Sequence, residues 1–250
     1  MNKKIDLVLL AGGYAGSLRP ITEFMPKAML FLGNKPLIHH ILEDVSSKSN
    51  LNKIFIFVNY FKEIIIGYVN LLRKANLLKE EIIFIETDLE EFNTAGALLK
   101  LKNIVTDQFI LYYSDVLPIA MNYSDLINSH FENNPDKLTI GTLATSNYYE
   151  LETGYVEVDS SNYITNFIEK PCTDEKIKNM AIGVFESEII NHISKKSDNF
   201  FRDVIPNLLK NGYKLKNYTH NNKWYHFQHV NKYHSEHVKN YSKWISESSK

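Results

Sequence analysis

Three of the ten glycines in the chain fall within five residues near its start, at Gly12, Gly13 and Gly16. They follow Leu10 and Ala11, where the first apolar run ends. Because glycine has no Cβ, backbone N–H groups in such a turn can approach phosphate oxygens closely. A tight strand-to-helix turn would need the same glycines for steric reasons alone. The turn lacks the Gly-Lys-Ser/Thr ending of a P-loop and the Gly-x-Gly-x-x-Gly of a dinucleotide site, so neither of those sites is predicted.

An acidic residue, Asp115, follows the apolar run from Phe109 to Tyr113. If that run is a strand, the carboxylate lies at its carboxyl end. Carboxylate oxygen is the ligand type that Mg²⁺ prefers, so this residue is a candidate for a divalent cation. A solvated loop aspartate or a helix cap is the alternative interpretation.

Histidine is concentrated toward the C-terminus, where five of the nine histidines fall within residues 220–237. They are His220, His226, His229, His234 and His237, and the last four form two His-x-x-His pairs. On a helix, side chains at i and i+3 can share a metal ion. However, His226 and His229 are expected before the last helix, and His234 and His237 fit its packing face. We therefore favour packing over a transition-metal site.

Hydrophobic periodicity predicts the elements that must position these residues. Apolar, β-branched-rich runs alternate with helical stripes, which predicts an α/β fold with a mostly parallel sheet covered on both faces. The predicted strands are Ile5 to Leu10, Ile54 to Val58, Ile82 to Ile85, Phe109 to Tyr113 and Leu138 to Leu143, and the predicted helices are Pro36 to Ser46, Phe61 to Ala75, Ala95 to Leu101 and Tyr123 to Phe131. Ligands of such sheets bind beyond the carboxyl ends of the strands.

After residue 145 the pattern changes to strand-like runs without long helices between them. The predicted strands are Gly154 to Val158, Tyr163 to Ile168, Ala181 to Phe185 and Lys214 to Thr219, with helices at Glu186 to Ile193 and Phe200 to Lys210, and a last helix whose face carries Val230, Tyr233, His234, His237, Val238, Tyr241 and Trp244. We expect a single domain over residues 1–250, with a first part at 1–145 and a β-rich subregion with a C-terminal helix at 146–250.

Composition excludes several classes of protein. The chain has 250 residues, 44% of them hydrophobic, which is enough to bury a core. Its 28 basic and 29 acidic residues give a net charge of −1, so we expect neither a nucleic-acid partner nor a membrane partner. The single Cys172 excludes an intramolecular disulfide framework and fits a cytoplasmic location. We find no apolar stretch of membrane-spanning length and no signal-peptide core after Lys3 and Lys4.

The segments that continue from the glycine-rich turn form an ordered series of short motifs. They read Pro20-Ile21-Thr22, Met25-Pro26-Lys27-Ala28-Met29, Gly33-Asn34-Lys35-Pro36-Leu37-Ile38, Asn93-Thr94-Ala95-Gly96-Ala97-Leu98, Ser114-Asp115, Gly154-Tyr155-Val156-Glu157-Val158-Asp159 and Phe167-Ile168-Glu169-Lys170-Pro171. Together with the turn, the series resembles the sugar-1-phosphate nucleotidyltransferase family over nearly the whole chain. The form it resembles is the short one, without a β-helix of hexapeptide repeats.

The resemblance implies a Rossmann-like nucleotidyltransferase fold whose β-rich subregion binds a sugar. It implies a transferase that joins a nucleoside triphosphate to a sugar 1-phosphate and releases pyrophosphate, with Mg²⁺ as cofactor and Mn²⁺ as an option. Self-association into a homo-oligomer stays open, and neither the base nor the sugar can be identified. The implied residues are Lys27, Asp115 and Arg19 for catalysis; Leu10, Ala11, Gly12, Gly13, Thr94 and Gly96 for the nucleotide; Gly154, Glu169, Lys170 and Asn179 for the sugar phosphate; and Asp115 with His226 for the metal.

Two departures from the family pattern fall at the implied reaction centre. The family's turn has a glycine where this chain has Ala15, and a triphosphate-binding arginine where it has Ser17. Arg19 is a candidate replacement for that arginine. The family also has a metal-binding aspartate where this chain has His226, and imidazole is a poor ligand for Mg²⁺. These losses leave open a second hypothesis, a catalytically degenerate homologue that binds a nucleotide or a sugar phosphate for regulation.

Overall fold

The computed structural model describes residues 4–88, 92–132, 138–147, 154–168, 177–234 and 237. The candidate residues Glu169 and Lys170 lie outside these ranges, as does Cys172. Three residues assigned to the face of the last helix also lie outside them: Val238, Tyr241 and Trp244.

The described residues contain one large sheet and two small two-stranded ones. The strands are β1 (Ile5–Leu10), β2 (Phe31–Leu32), β3 (Lys35–Pro36), β4 (Leu51–Val58), β5 (Glu81–Glu86), β6 (Gln108–Tyr113), β7 (Val116–Pro118), β8 (Thr139–Ser146), β9 (Tyr155–Val158), β10 (Tyr163–Ile168), β11 (Ile177–Glu186), β12 (Lys214–His220) and β13 (Trp224–His226). The large sheet has the order β5-β4-β1-β6-β11-β8-β12-β10-β9, while β2 pairs with β3 and β7 pairs with β13.

The large sheet is parallel in its first half and mixed in its second. The neighbours β5, β4, β1 and β6 all run parallel, and so do β8 and β12. Strand β11 enters antiparallel between β6 and β8, and β9 and β10 extend the same sheet with antiparallel pairs. The predicted α/β class, with a mixed sheet flanked by helices and a β-rich subregion on it, is confirmed.

Helices cover both faces of this sheet. The α-helices are α1 (Leu37–Lys48), α2 (Lys62–Lys74), α3 (Thr94–Leu98), α4 (Tyr123–Phe131) and α5 (Ile205–Lys210). Short 3₁₀ helices span Gly16–Leu18, Ile21–Glu23, Lys27–Met29, Leu99–Leu101 and Ser187–His192, a π-helical turn spans Phe200–Val204, and residues 230–234 are helical. None of the described helices is long and apolar enough to span a membrane.

Alternation along the parallel strands explains why the sheet is covered on both sides. On β1, Leu7 and Leu9 belong to one buried cluster with α1, α2 and α4, whereas Val8 belongs to a second cluster with α3 and α5. Successive side chains of a strand point to opposite faces, so an unbroken apolar run requires a helical layer on each face. The three-layer core therefore follows from the pattern of β1 and β4.

Several predicted elements need correction. The helix predicted at Glu186 to Ile193 is a 3₁₀ helix, and the one predicted at Phe200 to Lys210 begins with a π turn before α5. Strand β11 starts four residues earlier than predicted, at Ile177. The pattern missed these residues because the strand's register shifts between Asn179 and Gly183, around Ala181 in the left-handed conformation. Such a bulge hides a strand from a pattern of strict alternation.

The last helix packs as predicted through Val230 and Tyr233, which contact the core. The Nδ1–H of His237 donates a hydrogen bond to the Phe31 carbonyl, with 2.8 Å between Nδ1 and the oxygen. His234, assigned to the same packing face, is instead exposed, so that assignment was wrong.

The segment 194–200 closes over the start of α3. The N–H of Asn93 donates to the Lys196 carbonyl at 2.8 Å, and the N–H of Ala95 donates to the Asp198 carbonyl at 3.0 Å. Gly96 is buried under this segment, where a Cβ would lie 1.8 Å from the Lys196 carbonyl oxygen. The close approach of two backbones explains why a glycine is needed in this helix.

We expect Gly96→Ala to lower the free energy of unfolding by at least about 2 kcal/mol, because the new methyl group overlaps backbone that cannot rotate away. Gly67→Ala, on the exposed side of α2 where a Cβ meets nothing within 4 Å, is the matched control. It should raise stability by about 0.5–1 kcal/mol through helix propensity. Urea denaturation of both variants measures the difference, and equal effects would contradict the close packing at Gly96.

Candidate functional site

A cavity of about 580 Å³ opens at the carboxyl ends of the central parallel strands. Leu10 and Ala11 line it where β1 ends, and Tyr113, Ser114 and Asp115 line it where β6 ends. This is the sheet edge at which open α/β folds bind ligands. The position predicted from the strand pattern and the position of the cavity therefore agree.

The glycine loop, residues 11–19, forms one wall. Gly12 is held against the end of β4, where a Cβ would lie 3.1 Å from the backbone of Val58 and Asn59. Gly13 is exposed and lines the cavity, and a Cβ on it would meet nothing within 4 Å. The first glycine thus serves packing, whereas the second leaves room at the cavity wall.

Two residues of this loop, Ala15 and Ser17, differ from the family pattern. Ala15, which stands where the family has glycine, is in the left-handed region with φ 47° and ψ 50°, a conformation that glycine adopts without strain. Ser17, which stands where the family has arginine, donates a hydrogen bond from Oγ to the backbone carbonyl of Gln228. The hydroxyl therefore ties the loop to the segment after β13. Arg19 is exposed and is not among the described residues that line the cavity.

Lys27 reaches the cavity because its neighbours anchor it. Pro26, Ala28 and Met29 are buried, and the N–H of Met29 donates to the Pro26 carbonyl at 2.8 Å. This 3₁₀ turn leaves Lys27 as the polar residue directed away from the core. Of the described residues that line the cavity, only Lys27 is a lysine or an arginine.

Asp115 is brought to the cavity by hydrogen bonds on both sides of it. The N–H of Ser114 donates to the Leu10 carbonyl at 3.2 Å, and the N–H of Phe227 donates to the Asp115 carbonyl at 2.8 Å. The pairing of β7 with β13 then places His226 opposite Val116. Three distant parts of the sequence therefore meet at one carboxylate.

The Asp115 carboxylate lies between two nitrogen groups. Lys27 Nζ lies 2.6 Å from Asp115 Oδ2, and His226 Nε2 lies 3.5 Å from the same oxygen. Burial alone would raise the pKa of this carboxyl, but the Lys27 ammonium, followed by His226, holds its pKa well below the usual value. Asp115 is therefore ionised at neutral pH.

One oxygen of this carboxylate is left for a ligand. Asp115 Oδ1 is buried and makes no hydrogen bond to the described part of the chain. An orphaned anionic oxygen at a cavity wall fits a hard divalent cation. Among the described residues, no group of three or more histidine, cysteine or acidic side chains converges on a metal position. A metal bound at Asp115 would thus need phosphate and water oxygens to complete its coordination.

The opposite wall comes from α3 and the segment that closes over it. Thr94, Ser197 and Asn199 line the cavity there. The Thr94 hydroxyl oxygen accepts a hydrogen bond from the Phe200 N–H at 3.0 Å, so it is fixed in place. Gly96 faces the covering segment and is not a cavity residue, so the structure does not bring it to the nucleotide position implied by the resemblance.

The two described candidates for the sugar phosphate lie together beside the cavity. The N–H of Asn179 donates to the Gly154 carbonyl at 2.7 Å, and its side-chain oxygen accepts from the Ala181 N–H. Because Ile182 pairs with Tyr112, the residues before it extend beyond the carboxyl end of β6. Both candidates are thus at the same edge of the sheet as the cavity, although neither lines it.

The sequence identified part of this cavity and missed the rest. The predicted residues that line it are Leu10, Ala11, Gly12, Gly13, Lys27, Thr94 and Asp115. Further lining residues, which no motif had singled out, include Tyr14, Thr87, Phe92, Tyr113, Asn199 and Gln228. Gln228 had an indirect signal, since it lies two residues after His226, where the chain departs from the family pattern.

The model of the Nucleotidyl transferase family matches residues 7–241, which is nearly the whole chain. The chain belongs to the Nucleotidyl transferase family.

Individual relatives are more distant. The "Bifunctional protein GlmU" of Methanococcus vannielii is 30% identical over 211 residues, covering 82% of this chain and 44% of that protein. The "Mannose-1-phosphate guanylyltransferase catalytic subunit beta" of Drosophila melanogaster is 28% identical over 207 residues, covering 80% of this chain and 53% of that protein. The chain thus spans about half the length of these relatives.

A solved structure of UDP-glucose pyrophosphorylase complexed with UDP-glucose superposes with a TM-score of 0.77 at 16% identity. The match covers 96% of this chain and 100% of that one, which shows the shared fold.

The two adjacent glycines should respond differently to substitution. Gly13→Val should abolish nucleotide binding with little loss of thermal stability, because the side chain enters open cavity space. Gly12→Ala should instead lower the melting temperature, because its methyl group presses on the end of β4. Calorimetric titration with nucleoside triphosphates and thermal melting separate the two effects. Nucleotide binding that survives in Gly13→Val would show that the loop has only a structural role.

Proposed function

We propose that this protein is a sugar-1-phosphate nucleotidyltransferase, joining a nucleoside triphosphate and a sugar 1-phosphate to give a nucleotide sugar and pyrophosphate. The observation that carries the proposal is the convergence of Lys27 and Asp115, 2.6 Å apart, on a cavity walled by the glycine loop. Family membership and the names of the relatives support it.

The arrangement suits nucleotidyl transfer, which depends on alignment and charge neutralisation more than on a general base. The exposed Gly13 lets the cavity wall accept a phosphate chain, and the fixed Thr94 hydroxyl offers a polar contact on the opposite wall. Lys27 is the cation that can pair with a phosphate oxygen. A divalent cation held by Asp115, with His226 beside it, would supply the remaining neutralisation of charge on the phosphates.

The sugar phosphate would enter from the side of Gly154 and Asn179, which lie at the same sheet edge as the cavity. The resemblance implies that Glu169 accepts hydrogen bonds from sugar hydroxyls and that Lys170 pairs with the sugar phosphate. The relatives differ in base, since one is named a guanylyltransferase and another is bound to UDP-glucose. We therefore leave the base and the sugar unassigned.

Ser17 and His226 had favoured a degenerate, regulatory homologue as the alternative. In the structure Ser17 stabilises the loop and His226 supports Asp115, so both substitutions have a place in an intact site. The catalytic proposal is therefore the stronger of the two.

Pyrophosphate release with Mg²⁺, each common nucleoside triphosphate and a panel of sugar 1-phosphates tests the proposal directly. We expect release with at least one pair. Asp115→Asn should lower that rate by about a hundredfold or more, the scale of losing a principal electrostatic group. Asp125→Asn, an exposed substitution on α4, is the matched control and should leave the rate unchanged. No release with any pair, while calorimetry still shows nucleotide binding, would overturn the catalytic proposal in favour of the regulatory one.

The two cations near the glycine loop should not contribute equally to nucleotide binding. Lys27→Ala should weaken nucleoside triphosphate binding by about tenfold to a hundredfold, the value of a charge-assisted hydrogen bond at a partly buried site. Arg19→Ala should have a much smaller effect because Arg19 is exposed outside the cavity. Calorimetric titration of both variants with nucleoside triphosphates measures the ranking. A larger effect at Arg19 would mean that the loop changes register when nucleotide binds.

A further inference from the structure

The ammonium of Lys27 has two competing partners, the Asp115 carboxylate and a phosphate in the cavity. Its ammonium pairs with Asp115 Oδ2 at 2.6 Å, and both side chains are largely withdrawn from solvent, with 19% and 9% of their surfaces exposed. Lys27 is also the only lysine or arginine that the described cavity wall offers to a phosphate chain. An ammonium that moves to a phosphate must therefore leave Asp115 or share its charge between the two partners.

Asp115 would lose its cationic partner if Lys27 moved to a phosphate. Its Oδ1 already lacks a hydrogen-bond partner, and release of Lys27 would leave Oδ2 with only His226 at 3.5 Å. A buried carboxylate without a positive partner is costly, so loss of Lys27 favours the arrival of another cation. Conversely, a divalent cation that approaches while Lys27 is paired meets a like charge and an oxygen that is already occupied.

We propose that Lys27 exchanges partners, holding Asp115 in the free protein and a phosphate in the complex, and that it thereby opposes divalent metal binding until a nucleotide arrives. This inference rests on the proposed function for the identity of the phosphate ligand. It assigns Lys27 a role beyond phosphate binding, since the same ammonium weakens metal binding at Asp115 in the free protein. Metal and nucleotide affinities are then linked, each raising the other.

The partner exchange is tested by Mn²⁺ binding in the absence of nucleotide, measured from the electron paramagnetic resonance signal of free Mn²⁺. Lys27→Met keeps most of the length and the apolar character of the side chain's stem, and it removes the charge. We expect this variant to bind Mn²⁺ at least about tenfold more tightly than the wild type, the lower end of what a charge-assisted hydrogen bond contributes. The double variant Lys27→Met/Asp115→Asn should lose that gain, because the gain depends on the released carboxylate.

Lys62→Met is the matched control. Lys62 pairs with Glu86 at the same 2.6 Å in a more exposed ion pair, and neither residue is among the described residues that line the cavity, so its loss should leave Mn²⁺ affinity unchanged. If Lys27→Met does not fold, judged by circular dichroism, Lys27→Gln replaces it.

Mn²⁺ affinity in the Lys27 variant that is equal to or weaker than in the wild type would overturn the proposal, as would a gain that persists without Asp115. This measurement needs no substrate or turnover. Its failure is therefore distinguishable from failure of the proposed activity, which is judged by pyrophosphate release alone.

Discussion

A buried carboxylate is stable only where other parts of the chain are arranged to compensate it, and Asp115 imposes that requirement on this fold. A hydrogen bond between Ser114 and Leu10 fixes the end of β6 to β1. The turn from Pro26 to Met29 directs Lys27 toward the Asp115 carboxylate, and the pairing of β7 with β13 places His226 beside it. These contacts join residues about 90 and 110 positions from Asp115 along the chain. The geometry of the site is therefore a property of the tertiary structure and not of any single motif.

The distribution of charge in the cavity differs from what the family pattern implies. One cation, Lys27, lies in the described wall and is already paired with Asp115, so the wall is close to neutral before any ligand binds. At the position where the family has an arginine, Ser17 holds the loop to Gln228 by a hydrogen bond but adds no positive charge. A polyanion in this cavity would depend on counterions brought with it more than on the protein's own side chains.

Periodicity predicted the parallel half of the sheet and the helices that flank it, because long apolar runs and stripes are local signals. The predicted bounds of β1 and α4 match the structure to the residue. Periodicity missed the bulge at Ala181 and the pairing of β7 with β13, which depend on contacts between distant residues. The motifs identified Lys27 and Asp115, but no local pattern could show that Arg19 turns outward or that Gly96 serves packing. Those assignments depend on backbone geometry, which a motif at the right spacing does not specify.

The hydrogen bond from Ser17 to Gln228 connects residues 211 positions apart and has a consequence for how the protein is made. During synthesis the N-terminal strands and helices leave the ribosome first and can begin to fold as a unit. The glycine loop can be fastened, and His226 can reach Asp115, only when the segment around residue 228 has also emerged. A nascent chain that stops before this point can form much of the parallel sheet and still lack a closed site, so ligand binding would report that synthesis has passed residue 228.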